Sequence, residues 1–225
     1  MRIPLILLAF LTCFSTFAQK DPSAKAILDQ IGAKVKNSKG ILVSIQMVSK
    51  NGQGKAMGTK QISLKMKGDK YYLKQGLMEI LCDGLIIYNF DGVNSISKSS
   101  VAESDQTLSP QKLLAGNYDK DFNYSLLGQT TSNATIELIP IDKRKSFQKV
   151  TLVVDKVKSA LSSASILDKS NNSTLVKVLS INYTAVLADN LFLFNRAKYP
   201  KNVEIFDWFT PFYTYLRSRN KKIKP

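Results

Sequence analysis

The sequence predicts a mainly β domain built on an antiparallel sheet, with few helices. Three observations predict it. In Gln61-Ile62-Ser63-Leu64-Lys65-Met66-Lys67 apolar and polar residues alternate strictly, the period of a half-buried strand. Two Asp-Gly pairs, Asp83-Gly84 and Asp91-Gly92, separate apolar runs where hairpin turns belong. Helical spacing is confined to three short stretches.

The first residues read as a secretory leader. Arg2 supplies the positive start, residues 3–17 the apolar run, and Thr16-Phe17-Ala18 the small-residue cleavage pattern. Cleavage is expected between Ala18 and Gln19, which makes residues 1–18 a signal peptide and exports the rest to a periplasm. Acylation at Cys13 is the rival reading; the bulky Thr12 before it and the short apolar run disfavour it. No later window is apolar enough to span a membrane.

A helix follows. Asp21 can cap it, Pro22 suits its first position, and Ile27, Leu28, Ile31 and Val35 share a face. Lys34 and Lys36 suit its negative end, and residues 37–40 stop it. The period then changes to two. Strands are expected at 61–67, 78–82, 85–90, 93–98, 135–139, 147–154, 161–167, 174–182 and 191–194. Ser109-Pro110-Gln111-Lys112-Leu113-Leu114 interrupts them as a short capped helix. Several strands are apolar on both faces, so both faces are expected to be covered. A curved sheet wrapping helices and a two-sheet sandwich both satisfy this pattern.

Composition narrows the function. The formal net charge is +15, of which the leader carries only Arg2. Such charge suits solubility, nucleic acid, an anionic membrane surface or an acidic partner. The lysines are scattered and aromatics do not interleave with them, which speaks against nucleic acid. With Cys13 removed, Cys82 stands alone, so packing must supply stability.

The chain has no histidine. Ser-His-Asp and Cys-His catalysis are therefore excluded, and the commonest zinc ligand is missing. No nucleophile elbow or phosphate-cradling loop occurs. Asp119 and Asp121 read as solvated turn carboxylates, and Cys82, inside an apolar strand, as an inert buried thiol. The expected result is no enzyme, no metal, no cofactor, and a monomer.

The order of the pieces resembles the LolA family of outer-membrane lipoprotein carriers over roughly residues 24–207. The main stretch is Met78-Glu79-Ile80-Leu81-Cys82-Asp83-Gly84-Leu85-Ile86-Ile87-Tyr88-Asn89-Phe90, similar to the family's strand, Asp-Gly turn, and strand with two aromatics spaced by two. Ser109-Pro110-Gln111-Lys112-Leu113-Leu114 is similar to its Ser/Thr-Pro-x-x-Leu-Leu segment, and Ile136-Glu137-Leu138-Ile139-Pro140 to the strand after it. Phe192-Leu193-Phe194, Tyr199-Pro200 and Val203-Glu204-Ile205-Phe206-Asp207 resemble its final run.

The resemblance implies an unclosed, strongly curved antiparallel half-barrel over 19–207, with an N-terminal helix and a short helical lid over an apolar cavity. It implies acylated lipoprotein or lipid cargo, an inner-membrane release complex and an outer-membrane acceptor. One parity of the strands gives the expected lining: Ile62, Leu64, Met66, Tyr71, Leu73, Ile80, Cys82, Tyr88, Phe90, Leu113 and Leu114. Charged substitutions at Leu64 or Ile80 are expected to abolish lipid carriage without unfolding. A non-transport sensor or acceptor on the same scaffold is the alternative.

Two departures stand out. The family carries an Arg-Pro pair before its third strand, with an aromatic four residues after the arginine, which latches the lid to backbone carbonyls. Here Tyr71 keeps the aromatic, but Lys67 replaces the arginine, and a lysine lacks the planar fork. Residues 208–225 add an aromatic and basic extension. Phe209, Phe212, Tyr213 and Leu216 share a helical face, followed by Arg217, Arg219 and three lysines. That extension suits an extra lid, a partner, or an anionic membrane surface.

Overall fold

The computed structural model describes residues 20–102, 108–115 and 118–207. The leader, Cys13, and the extension residues Phe209, Phe212, Tyr213, Leu216, Arg217 and Arg219 lie outside them.

Helix α1 (Pro22–Lys36) starts where the capping chemistry requires: one Asp21 carboxylate oxygen accepts from the backbone N–H groups of Ser23 and Ala24 at 2.8 and 3.3 Å. The other accepts from Leu126 N–H at 3.0 Å, and Asp21 N–H donates to the Tyr124 carbonyl. One side chain thus caps the helix and ties it to a strand far along the chain. These bonds, Leu126 N–H foremost, hold the Asp21 carboxyl below its ordinary value of 3.8. Asp21→Ala is expected to cost about 1–2 kcal/mol, read as a lower urea midpoint. Because the folded-state value is lowered, that contribution is complete above the ordinary carboxylate value. It disappears as pH falls through the lowered one, so wild type and variant should converge in acid.

The strands are β1 (Ile41–Lys50), β2 (Ala56–Lys67), β3 (Lys70–Gln75), β4 (Met78–Cys82), β5 (Ile86–Phe90), β6 (Ser95–Ser100), β7 (Phe122–Gln129), β8 (Asn133–Pro140), β9 (Phe147–Asp155), β10 (Ala160–Asp168), β11 (Ser173–Asn182) and β12 (Glu204–Asp207). They form one sheet in the order β12-β6-β5-β4-β3-β2-β1-β11-β10-β9-β8-β7. Two meanders, β1 to β6 and β7 to β11, meet where β1 pairs with β11 from Leu42↔Asn182 to Lys50↔Ser173. All neighbours are antiparallel except β12, which lies parallel to β6. Among the described residues nothing pairs β7 with β12, so the sheet is unclosed.

Bulges at Ser44/Ile45, Leu126/Gly128 and Leu161/Ser163 bend it. The expected half-barrel is therefore the architecture, and the sandwich is not. The Asp-Gly turns form as expected. Asp83 accepts from Leu85 and Ile86 N–H, Asp91 from Val93, Asn94 and Ser95 N–H, and Gly84 and Gly92 take φ of 103° and 86°. At Gly92 a Cβ would also sit 3.0 Å from the Leu77 Cβ.

One expected strand is absent. Residues 191–194 are not paired; Asp189–Phe192 is a 3-10 turn, after which the chain crosses the outer face of the sheet. There Phe194 stacks on Tyr88 at 4.3 Å and on Tyr199 at 5.6 Å, and Tyr199 meets Phe90 edge-on at 5.1 Å. The aromatics that suggested a strand are thus satisfied by the face of the sheet rather than its edge.

Candidate functional site

The concave face carries a continuous apolar cluster. Val43 and Ile45 of β1, Ile62, Leu64 and Met66 of β2, Tyr71 of β3 and Cys82 of β4 form one wall. Phe122 and Tyr124 of β7, Ile136 and Leu138 of β8, Val150, Leu152 and Val154 of β9, and Ala164 of β10 form the other. Strict alternation puts them there: β8 buries Ala134, Ile136, Leu138 and Pro140 and turns the residues between them outward.

Two helices cover this face. Helix α1 buries Ala24, Leu28 and Ile31, with Ile27 and Val35 packed beside them. Helix α2 (Pro110–Ala115) inserts Leu113 and Leu114, and the Tyr118 hydroxyl donates to the Leu113 carbonyl. Asp119 and Asp121, expected to be merely solvated, are pinned instead. Asp119 pairs with Lys25 of α1 at 2.8 Å, and Asp121 with Lys112 of α2 at 2.9 Å. The turn between α2 and β7 holds both helices because it brings these carboxylates under their lysines. The Asp119 carboxyl is lowered chiefly by the Lys25 ammonium and then by the Tyr124 hydroxyl.

Most of the expected lining residues meet here. Ile62, Leu64, Met66, Tyr71, Cys82, Leu113 and Leu114 belong to the buried cluster, and Leu73 and Ile80, paired across β3 and β4, pack against its border. Tyr88 and Phe90 do not. In β5 the inward residue is Ile87, which sits opposite Cys82 and therefore shares its face; Tyr88 and Phe90 point outward beneath the 189–207 segment. The β8, β9 and β10 wall was not assigned from sequence, although the alternation in Ile136 and Leu138 signalled it.

Lys67 is tied to the segment that follows β11. Its ammonium donates to the Leu187 carbonyl at 3.4 Å and pairs with Asp189 at 2.9 Å, fastening the segment after β11. The fork-like latch is Arg196. Its two terminal nitrogens donate to four carbonyls, those of Tyr199, Pro200, Lys201 and Val203, at 2.8–3.3 Å. No motif marked it.

A cavity of about 780 Å³ opens beside Lys67, lined by Asn37, Ser38, Lys39, Tyr183, Thr184 and the apolar Ala185, Val186 and Leu187. Burial raises the Cys82 thiol's pKa, keeping it protonated and inert. Among the described residues no group of three acidic, Cys or His side chains is placed to hold a metal, and no helix is long and apolar enough to cross a membrane.

Comparison with solved structures finds similar chains at low identity. An uncharacterized conserved protein from Thermus thermophilus is 12% identical with a TM-score of 0.55, covering 82% of this chain and 99% of that one. A LolA superfamily protein from Nitrosomonas europaea is 15% identical (TM-score 0.45; 76% and 97% covered), and the Mycobacterium tuberculosis lipoprotein LppX is 18% identical (0.45; 75% and 100%). No curated protein matches by sequence. The family model described as outer membrane lipoprotein carrier protein LolA matches residues 79–195, more than half the chain and the stretch that runs from β4 through both helix-holding carboxylates to the Arg196 border, so the chain belongs to the LolA family.

Proposed function

We propose that the exported chain is a non-catalytic periplasmic carrier that takes the acyl chains of lipoproteins, or of other lipids, between its concave wall and its two helices, and ferries them from inner to outer membrane. The observation that carries this reading is the way the interior is closed. Its cover is two short helices held at their rims by partly buried ion pairs, over a wall made almost wholly of aliphatic and aromatic side chains.

Magnitudes suit exchange. One acyl chain of ~16 carbons carries roughly 12 kcal/mol of burial energy. The side chains that α1 and α2 lay on the wall, Ile27, Leu28, Ile31, Leu113 and Leu114, contribute about 1.5–3 kcal/mol each when fully buried. Swapping helix side chains for an acyl chain is therefore close to balanced, which permits both loading and release. A wall with many polar anchors would bind without letting go.

The experiment is native mass spectrometry of protein purified from the periplasm, with hydrogen exchange before and after delipidation. Acylated adducts are expected, together with changed protection in 22–36 and 110–115. Absence of any adduct after incubation with diacylated lipopeptide, with unchanged exchange in α1, would sink the carrier reading. A stable protein partner bound through 208–225 and no lipid would establish the sensor or acceptor alternative instead.

A further inference from the structure

We propose that the cavity at the end of α1 is a headgroup subsite for the carried lipid, taking a phosphate with a hydroxylated substituent. This rests on the carrier reading and adds the part of the cargo that the apolar wall cannot recognise. The place is suitable. Tyr183 lines the cavity and also packs against the interior cluster, so a single ring separates the polar opening from the apolar wall. A lipid with its chain inside would bring its headgroup out beside that ring.

The lining has one sign of charge. Lys39 and Lys67 face the cavity, and no carboxylate is among its lining residues. Lys34, outside the lining, holds its ammonium 4.5 Å from the centre of the Tyr183 ring while donating to the Lys158 carbonyl. Nearby Asp189 is already paired with Lys67, whereas Lys39 and Lys36 have no carboxylate partner among the described residues. The last carbonyls of α1 carry partial negative charge, but two of them are capped: Val35 accepts from Ser38 Oγ at 2.6 Å and from Ser38 N–H, and Ala33 from Asn37 N–H.

Phosphate fits lysines better than a single carboxylate does. An ammonium is a point charge with three donors, and a phosphate's oxygens can accept from two ammonium groups at once. Asn37, Ser38 and Thr184 offer neutral polar groups for glycerol-type hydroxyls. The volume, about 780 Å³, accommodates such a headgroup together with the first carbons of its chain.

The test is calorimetric titration of the delipidated mature chain with palmitoyl lysophosphatidylglycerol, monopalmitoylglycerol and glycerol phosphate. The lysophospholipid should bind about tenfold more tightly than the uncharged lipid, an advantage that shrinks at high salt. Lys39→Gln should remove most of that advantage while leaving monopalmitoylglycerol unchanged, Lys39→Arg should retain it, and Lys39→Gln with Lys67→Gln should abolish it. Equal affinity for the two lipids, or a preference untouched by Lys39→Gln, overturns the subsite and leaves the carrier reading standing. Failure of both lipids to bind overturns the carrier reading and this proposal with it. Glycerol phosphate binding as tightly as the lysophospholipid would identify a site for soluble phosphate and overturn the lipid assignment.

Discussion

Leu64→Asp is expected to prevent the domain from folding, whereas Ile80→Asp is expected to leave it folded but unable to carry lipid. The sequence placed these residues on one wall and made them equivalent targets; their depths separate them. Leu64 is fully buried mid-strand, flanked by Val43 on β1 and Leu73 on β3. Removing its side chain costs about 2–5 kcal/mol, and an unpaired carboxylate there costs several more. Together these consume most of the 5–15 kcal/mol typical of a domain. Ile80 only borders the cluster, and its β5 neighbour Asn89 is exposed, so a carboxylate at 80 can reach water. There it sets a charge where an acyl chain would enter. Circular dichroism with urea titration reads the first variant, and lipopeptide uptake the second. A Leu64→Asp protein with a normal midpoint would contradict the packing, and an Ile80→Asp protein that loads normally would contradict the route.

Arg196→Ala is expected to release the outer strap while leaving the interior intact. The guanidinium gathers four carbonyls of residues 199–203, and Val203 leads directly into β12. Losing a charged donor that serves partly buried carbonyls costs about 2–3 kcal/mol. Arg196→Lys should recover little, since one ammonium cannot span the same fork. Hydrogen exchange should rise in 199–207 and in β6, with α1 unchanged. Freed of β12, β6 becomes an open edge, and a tendency to self-associate should follow. Unaltered protection in 199–207 would show that the aromatic stack of Tyr88, Phe194 and Tyr199 holds the strap alone.

Much of the fold was legible locally. Asp21 and Pro22 announce α1 and the two Asp-Gly pairs announce their hairpins, because capping and positive φ are properties of a few adjacent residues. The alternation in 61–67 marks β2 for the same reason. β1, β7 and β12 were not recognised as strands, and β3 entered only through the family resemblance, although β1 shows the inward pattern Ile41, Val43, Ile45. Its β-branched run of Ile41, Val43, Ile45 and Val48 was itself a strand signal.

The candidate site was legible only in part. Its apolar character and the lack of histidine follow from composition and need no coordinates. Its membership does not. A strand's period of two leaves the choice of inner face open, and for β5 the pairing of Ile87 with Cys82 decided it against Tyr88 and Phe90. The role of Lys67 likewise depended on Asp189, 122 residues away, and that of Arg196 on a chain reversal no motif announces. The sequence by itself determined the helix, the hairpins and the absence of histidine chemistry, all of which are local or compositional. Tertiary structure alone decided which side of each strand is the inside and which cation holds which segment, because both depend on partners that folding brings together from distant parts of the chain.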